Sequence, residues 1–87
     1  MSYQIRLTKK AQKEIALLNN VDYERISTAI GTLSTHPRPI GSRKLRGHEN
    51  DWRIRVGRIR ILYSVDENIK AITIYRIADR KEAYRGI

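Results

Sequence analysis

Two runs of alternating apolar and polar residues, separated by Gly57-Arg58, constrain the fold of this chain more than any other feature. The first run is Trp52-Arg-Ile-Arg-Val56 and the second is Ile59-Arg-Ile-Leu-Tyr-Ser-Val65. A period of two is typical of strands that bury one face. A glycine at the first central position of a two-residue turn favours a type II′ hairpin. We therefore predict an antiparallel hairpin over residues 52–65.

The two-residue turn also sets the register of this hairpin, and the register separates two kinds of side chain. One face receives six apolar residues in three pairs, which are Val56 with Ile59, Ile54 with Ile61, and Trp52 with Tyr63. The other face places Arg55 opposite Arg60, with Arg53 diagonal to Arg60. Because a one-residue slip would mix the two faces, the apolar pairs support this register.

Like charges directly opposite each other destabilise a sheet by up to about 1 kcal/mol. A bound phosphate would turn this repulsion into shared binding, since the arginine fork matches phosphate oxygens. We interpret the face of Arg53, Arg55 and Arg60 as a phosphate-binding face. The alternative is that these side chains extend into solvent or pair with acidic neighbours, for which the candidates are Glu49, Asp51 and Glu67.

The remaining segments predict an α+β fold with the order β-α-α-β-β-β. Before the hairpin we expect a strand over Tyr3–Leu7, a helix over Lys9–Leu18 capped by Thr8, and a second helix capped by Asp22. After it come a strand over Ile69–Ile77 and a short helical turn from Arg80 to Arg85. We expect a helical hairpin packed on a mainly antiparallel four-stranded sheet, in a single domain over residues 1–87.

Composition narrows the classes of function. The net charge is +9, and residues 38–60 hold eight basic and two acidic residues, a net of +6. Such a concentration points to a polyanion or an acidic partner. The absence of cysteine excludes thiolate nucleophiles and cysteine-ligated zinc, and two isolated histidines disfavour a metal site. No apolar run reaches the ~18 residues of a membrane span, and Met1–Arg6 has no signal core, so we expect a cytoplasmic protein.

Three stretches resemble the RelE-family toxins of type II toxin–antitoxin systems, within the RelE/ParE superfamily. They are Lys44-Leu-Arg-Gly47, Trp52-Arg-Ile-Arg-Val-Gly-Arg-Ile-Arg-Ile-Leu-Tyr63 and Asp79-Arg-Lys-Glu-Ala-Tyr-Arg85. With the helical hairpin, the resemblance spans nearly the whole chain. It implies a ribosome-dependent endoribonuclease that cleaves mRNA in the ribosomal A site and uses no metal or other cofactor. In this reaction the ribose 2′-OH attacks the adjacent phosphate.

The resemblance also implies roles for individual residues and partners. The catalytic residues expected from it are Arg53, Arg55, Arg60, Arg80 and Tyr84. The residues expected to bind RNA and the ribosome are Arg43, Lys44, Arg46, Arg58 and Arg85. The expected partners are a cognate antitoxin, RelB-like or other, and the ribosome with its mRNA and rRNA, without a membrane. Binding of the toxin–antitoxin complex to operator DNA stays open.

Two departures from the family bear on the chemistry. Relatives often have lysine where this chain has Arg53 and Arg55, and an arginine cannot act as a general base. Tyr84 is therefore the preferred proton-transfer residue, with His48 and Glu49 as local alternatives near the second strand of the family fold. Two other functions remain open. One is a ParE-like toxin that binds and inhibits DNA gyrase, and the other is an inactive relative that only binds RNA or its antitoxin.

Overall fold

The computed structural model describes residues 2–79, which form two helices packed on a five-stranded sheet. The elements in chain order are β1 (Gln4–Leu7), α1 (Lys9–Ala16), α2 (Asn20–Leu33), β2 (Arg43–Lys44), β3 (Asp51–Val56), β4 (Ile59–Asp66) and β5 (Ala71–Asp79). The strand order across the sheet is β1-β5-β4-β3-β2. The pair β1–β5 is parallel and the other three pairs are antiparallel. The α+β class and the element order of the prediction are confirmed for this part of the chain.

The predicted strand count was too low by one. Arg43 and Lys44 form a two-residue edge strand that pairs with β3. A strand of two charged residues has no apolar alternation, so the sequence pattern could not distinguish it from the loop around it. This strand places Arg43 beside β3, directly opposite Arg53.

The register of the central hairpin is the one predicted. Val56 pairs with Ile59, Ile54 with Ile61, Trp52 with Tyr63, Arg53 with Leu62, and Arg55 with Arg60. Gly57 has a φ of +62°, a left-handed conformation that the first central residue of a type II′ turn requires and that a side chain would strain. This glycine therefore secures the two-residue turn, and with it the separation of the two faces.

The helices begin where short polar side chains cap them. The Thr8 hydroxyl accepts a hydrogen bond from the Ala11 amide at 3.1 Å, as predicted. The second cap differs from the prediction, because the side-chain oxygen of Asn19 accepts from the Asp22 amide at 2.8 Å and the helix starts at Asn20. Asp22 lies in its first turn, where its negative charge complements the helix dipole. The first helix ends at Ala16, two residues before the predicted end.

The core lies between the helices and the apolar face of the sheet. Its buried members from α2 are Ile26, Ile30 and Leu33, and those from the hairpin are Ile54, Ile59, Ile61, Tyr63 and Val65. Within this core the Tyr63 side chain is fully buried, and its hydroxyl donates to the Pro37 carbonyl at 2.6 Å. Burial raises the pKa of Tyr63 to about 12. No helix within residues 2–79 is long and apolar enough to cross a membrane.

Glu67, in the turn between β4 and β5, joins three separate segments of the chain. Its carboxylate accepts hydrogen bonds from the Tyr3 hydroxyl at 2.7 Å, from the Lys70 ammonium at 3.1 Å, and from the Arg38 guanidinium. Arg38 also lies 5.4 Å from the centre of the Trp52 ring. The hydrogen bonds from Tyr3, Arg38 and Lys70 lower the pKa of Glu67 from 4.5 to about 2.

We predict that acid will weaken the fold through Glu67. A carboxyl group with a depressed folded-state pKa stabilises fully above its ordinary pKa and loses this contribution as the pH falls through the folded-state value. The free energy of unfolding should therefore decrease between pH 4.5 and about pH 2. Urea denaturation across this range should show a shallower decrease for Glu67→Gln than for the wild type, and equal slopes would contradict the prediction. The difference should be small because Glu67 is exposed to solvent.

Candidate nucleic-acid interface

The sheet face opposite the helical core carries the arginines that the register predicted. On this face Arg55 pairs directly with Arg60, and Arg53 pairs with Leu62. Arg55 is exposed, Arg53 is half-buried, and Arg60 is only 9% exposed. The face thus combines one buried cation with more accessible ones. Burial removes hydrating water from the guanidinium of Arg60, which makes contacts with other polar or charged groups more important for it. We call the sheet surface formed by Arg43, Arg53, Arg55, Arg60 and Arg76 the arginine face.

The edge strand β2 extends the arginine face. Arg43 pairs with Arg53, which gives a second pair of like charges directly across neighbouring strands. Lys44 pairs with Trp52, so the register assigns it to the opposite side of the sheet, with the apolar residues. Of the other cations expected to bind RNA, Arg46 and Arg58 are the two within residues 2–79, and both are exposed in turns. The structure thus brings Arg43 to the predicted face and leaves Lys44 outside it.

A β-bulge in β5 adds an arginine that the sequence analysis missed. Leu62 pairs with Arg76 and Tyr63 pairs with Ile74, so Tyr75 is the extra residue on β5. Arg76 therefore shares the row of Leu62 and Arg53 on the arginine face. The sequence held a signal of this, because Ile74 and Ile77 are both buried in the core but are three residues apart. A spacing of three within a strand indicates a bulge.

The position of Arg76 is defined by an acidic residue on α1. The Nε of Arg76 donates to Oε2 of Glu14 at 2.7 Å, and the Ile77 amide donates to Oε1 of Glu14 at 2.8 Å. Both side chains of the ion pair are mostly buried, with 10% of Arg76 and 18% of Glu14 exposed. Burial of this guanidinium is tolerated because a carboxylate accompanies it. Glu14 was not among the predicted site residues.

A polar contact joins Tyr75, within β5, to Asp51, the first residue of β3. The Tyr75 hydroxyl donates to Oδ2 of Asp51 at 2.9 Å, and Nδ1 of His48 lies 3.8 Å from that oxygen. Burial, followed by the hydrogen bond to Asp51, raises the pKa of Tyr75 above its ordinary value. Tyr75 is therefore protonated at neutral pH and can donate a hydrogen bond, but it is a poor base. Glu49, the other local candidate, is exposed.

The C-terminal residues assigned to the site, Arg80, Tyr84 and Arg85, lie outside the described residues. Among residues 2–79, no group of three His, Asp or Glu side chains is placed to hold a metal ion. What the described residues offer is positive charge with directional N–H donors. Such a surface can bind a phosphate and stabilise negative charge that develops on it.

Comparison with known proteins relates the sequence and the fold of this chain to one class of protein. A family model described as the ParE toxin of the type II toxin–antitoxin system parDE matches residues 5–84. A protein of Methanocaldococcus jannaschii that bears the name RelE1 toxin is similar to the chain, with 27% identity over 89 residues and 99% of both chains covered. Sequence similarity thus extends through both helices and all five strands.

Two solved structures are similar in fold and in sequence. One is a chain of the archaeal RelE–RelB complex from Pyrococcus horikoshii, with a TM-score of 0.83 and 28% identity, covering 95% of this chain and 100% of that one. The other belongs to the toxin–antitoxin complex RelBE2 of Mycobacterium tuberculosis, with a TM-score of 0.79 and 26% identity. This second match covers 92% of the present chain and all of the other.

We predict that removing one member of the Arg55–Arg60 pair will stabilise the free protein. Arg55→Thr should raise the free energy of unfolding by about 0.2–1 kcal/mol at low salt, because it removes a like-charge pair and adds a good strand former. The gain from the charge should shrink at high salt, where the repulsion is screened. Urea denaturation at both salt concentrations measures this difference.

The matched control for that measurement is Arg6→Thr. Arg6 is also exposed on a strand, but its partner across the strands is Thr73 rather than a cation. Its substitution should therefore lack the salt-dependent gain. An Arg55→Thr protein whose gain is absent, or equals that of Arg6→Thr at both salt concentrations, would disprove repulsion across the hairpin.

Proposed function

Since the chain belongs to the ParE toxin family of type II toxin–antitoxin systems, and is a RelE-family toxin within the RelE/ParE superfamily, we propose that it inhibits translation as a ribosome-dependent endoribonuclease. It binds in the ribosomal A site and cuts the mRNA there. The proposed unit of activity is one domain over residues 1–87, acting in the cytoplasm, where ribosomes are found.

The observation that carries this proposal is the arginine face. Arg55 lies opposite Arg60 and Arg43 lies opposite Arg53, and like charges in these positions repel each other across the strands. An anionic ligand would explain why guanidinium groups cluster on this face despite their mutual repulsion. Phosphodiester groups of mRNA and rRNA fit this requirement, because each offers oxygens for bidentate arginine contacts.

The proposed reaction moves one phosphoryl group within the mRNA. The 2′-oxygen loses its proton and forms a bond to the adjacent phosphorus, while the bond from phosphorus to the 5′-oxygen of the next nucleotide breaks. The products are a 2′,3′-cyclic phosphate and a 5′-hydroxyl, after a proton reaches the leaving oxygen. Negative charge grows on the phosphoryl oxygens in the transition state. Arg53, Arg55 and Arg60 are proposed to stabilise this charge.

Proton transfer needs a residue outside this set, because arginine stays protonated. Tyr75 is a poor candidate since its raised pKa keeps it protonated. Tyr84 is therefore the proposed proton-transfer residue, and Arg80 joins the charge-stabilising group, as the family resemblance implies. The resemblance also implies that the reaction needs no metal ion.

The remaining basic residues are proposed to bind the ribosome. Arg43 is exposed on the arginine face, Arg46 and Arg58 are exposed in turns, and Arg85 follows the proposed catalytic tyrosine in sequence. Lys44 would contact a different part of the rRNA, because the sheet register assigns it to the other side from Arg43. Contacts of this kind with phosphates supply affinity without sequence specificity.

A cognate antitoxin is the proposed protein partner. The structures from P. horikoshii and M. tuberculosis are toxin–antitoxin complexes. A net charge of +9 suits an antitoxin segment with acidic residues, which would cover the arginine face and block access of RNA. Whether the resulting complex binds operator DNA is a separate property that electrophoretic mobility shifts can measure.

Inhibition of DNA gyrase is the second candidate function, and the match to a ParE toxin family model favours it. The two functions separate in one pair of assays. Translation of a defined mRNA in a purified system, followed by primer extension, detects cuts in the A site. A supercoiling assay with purified gyrase detects the alternative. Intact mRNA together with blocked supercoiling would replace the nuclease proposal.

We predict that Arg60→Gln will slow cleavage by about 10²-fold or more, the scale for losing one preorganised donor to a developing anion. Single-turnover cleavage on ribosomes saturated with the protein provides the measurement. Lys10→Gln is the control, because Lys10 is an exposed cation on α1. Equal rates for the two variants would remove Arg60 from the chemistry.

We also predict that Tyr84→Phe will sharply reduce cleavage while leaving ribosome binding nearly unchanged, because only the hydroxyl that transfers the proton is lost. Co-sedimentation with ribosomes measures binding and primer extension measures cleavage. Tyr23→Phe, on the exposed surface of α2, should retain both properties. Cleavage at the wild-type rate by Tyr84→Phe would assign proton transfer to another residue.

A further inference from the structure

We propose that Arg76 is an additional phosphate-binding residue of the arginine face and that Glu14 is the residue that positions it. This inference rests on the proposed function, since it adds to the same site. It concerns two residues that the sequence motifs did not identify. The three observations behind it are the two-point contact made by Glu14, the end of the β1–β5 ladder, and the register around Leu62.

Glu14 holds Arg76 through both of its carboxylate oxygens. One oxygen accepts from Nε of Arg76 at 2.7 Å, and the other accepts from the Ile77 amide at 2.8 Å. The second bond ties the carboxylate to the backbone of the residue that follows Arg76. The carboxylate therefore has little freedom to rotate, and the guanidinium that it binds through Nε is held in one orientation.

The position of Glu14 follows from the end of a strand. β1 pairs with β5 as far as Leu7 and Ile74, and the Thr8 amide then donates to the Ile74 carbonyl. Beyond this point α1 replaces β1 beside β5. The backbone of β1 therefore no longer supplies carbonyl acceptors for the β5 amides that follow Ile74. Glu14 supplies that acceptor for Ile77. The same carboxylate thus completes the sheet edge and fixes the arginine.

The register then brings Arg76 into the site. It pairs with Leu62, and Leu62 pairs with Arg53 on its other side. Arg60 lies two residues from Leu62 on β4, on the same face of the sheet. Diagonal neighbours across strands are within reach of long side chains such as arginine. Leu62 itself is fully buried, and Arg60 and Arg76 are 9% and 8% exposed, so a phosphate would contact the small exposed parts of these two arginines together with the half-buried Arg53.

A purely structural ion pair is the competing explanation, and it makes different predictions. Buried ion pairs add little net stability, because the cost of desolvation offsets the attraction. If Glu14 only supports the sheet, its substitution should lower stability and reduce activity only through loss of folded protein. If it positions Arg76, its substitution should slow cleavage in fully folded protein, and the effect should disappear once Arg76 is absent.

A double-mutant cycle tests the proposal. Glu14→Gln keeps an oxygen for the Ile77 amide and removes the charge, and Arg76→Gln removes the guanidinium. We expect each single variant to slow single-turnover cleavage on saturated ribosomes by about tenfold or more, with ribosome affinity changed by less than about threefold. The double variant should be no slower than Arg76→Gln alone, because residues that act as a unit are not additive. The charge-matched controls Glu24→Gln and Lys13→Gln should cleave at the wild-type rate.

Arg76→Lys adds a test that does not depend on Glu14→Gln folding well. It preserves the positive charge but loses the planar fork, so cleavage should stay slow if the fork binds phosphate. Single variants that cleave at the wild-type rate, or multiplicative effects in the double variant, would overturn the inference. A wild-type protein that leaves mRNA intact would overturn the proposed function itself, which distinguishes the two failures.

Discussion

The two-residue turn at Gly57-Arg58 is the constraint on which the rest of the structure depends. Its left-handed glycine holds β3 and β4 in one register. That register directs six apolar side chains toward the helices and collects arginines on the other face. Core and site are therefore two consequences of one pairing, and a slip by one residue would destroy both at once. This coupling explains how a chain of 87 residues accommodates a charged surface directly behind its core.

The arginine face places like charges opposite each other. Two such pairs lie directly across neighbouring strands, at Arg55–Arg60 and Arg43–Arg53, and the repulsion within a pair of this kind costs up to about 1 kcal/mol. The core beneath, centred on the fully buried Ile61 and Tyr63, offsets this cost. A phosphate bound above the face would relieve the repulsion, so ligand binding and relief of strain would act in the same direction.

The acidic residues show how the chain places its few negative charges. Glu67 joins Tyr3, just before β1, to the loop after α2 and the β4–β5 turn, while Glu14 joins α1 to β5. Neither lies on the hairpin strands, and of the two only Glu14 pairs with a member of the arginine face, Arg76. Asp51 is the first residue of β3, and its carboxylate accepts a hydrogen bond from the Tyr75 hydroxyl. These three carboxylates therefore join segments that are distant in the chain, two of them to β5.

The sequence by itself determined the hairpin, its register, the order of the major elements and the common face of Arg53, Arg55 and Arg60. These features depend on residues close together in the chain, where a period of two and a turn glycine suffice. The tertiary structure decided what depends on distant segments. It paired β2 with β3, bulged β5 at Tyr75, and brought Glu14 to Arg76, 62 residues further along the chain. Strand order and ladder ends arise from packing between elements, and local sequence patterns do not encode them.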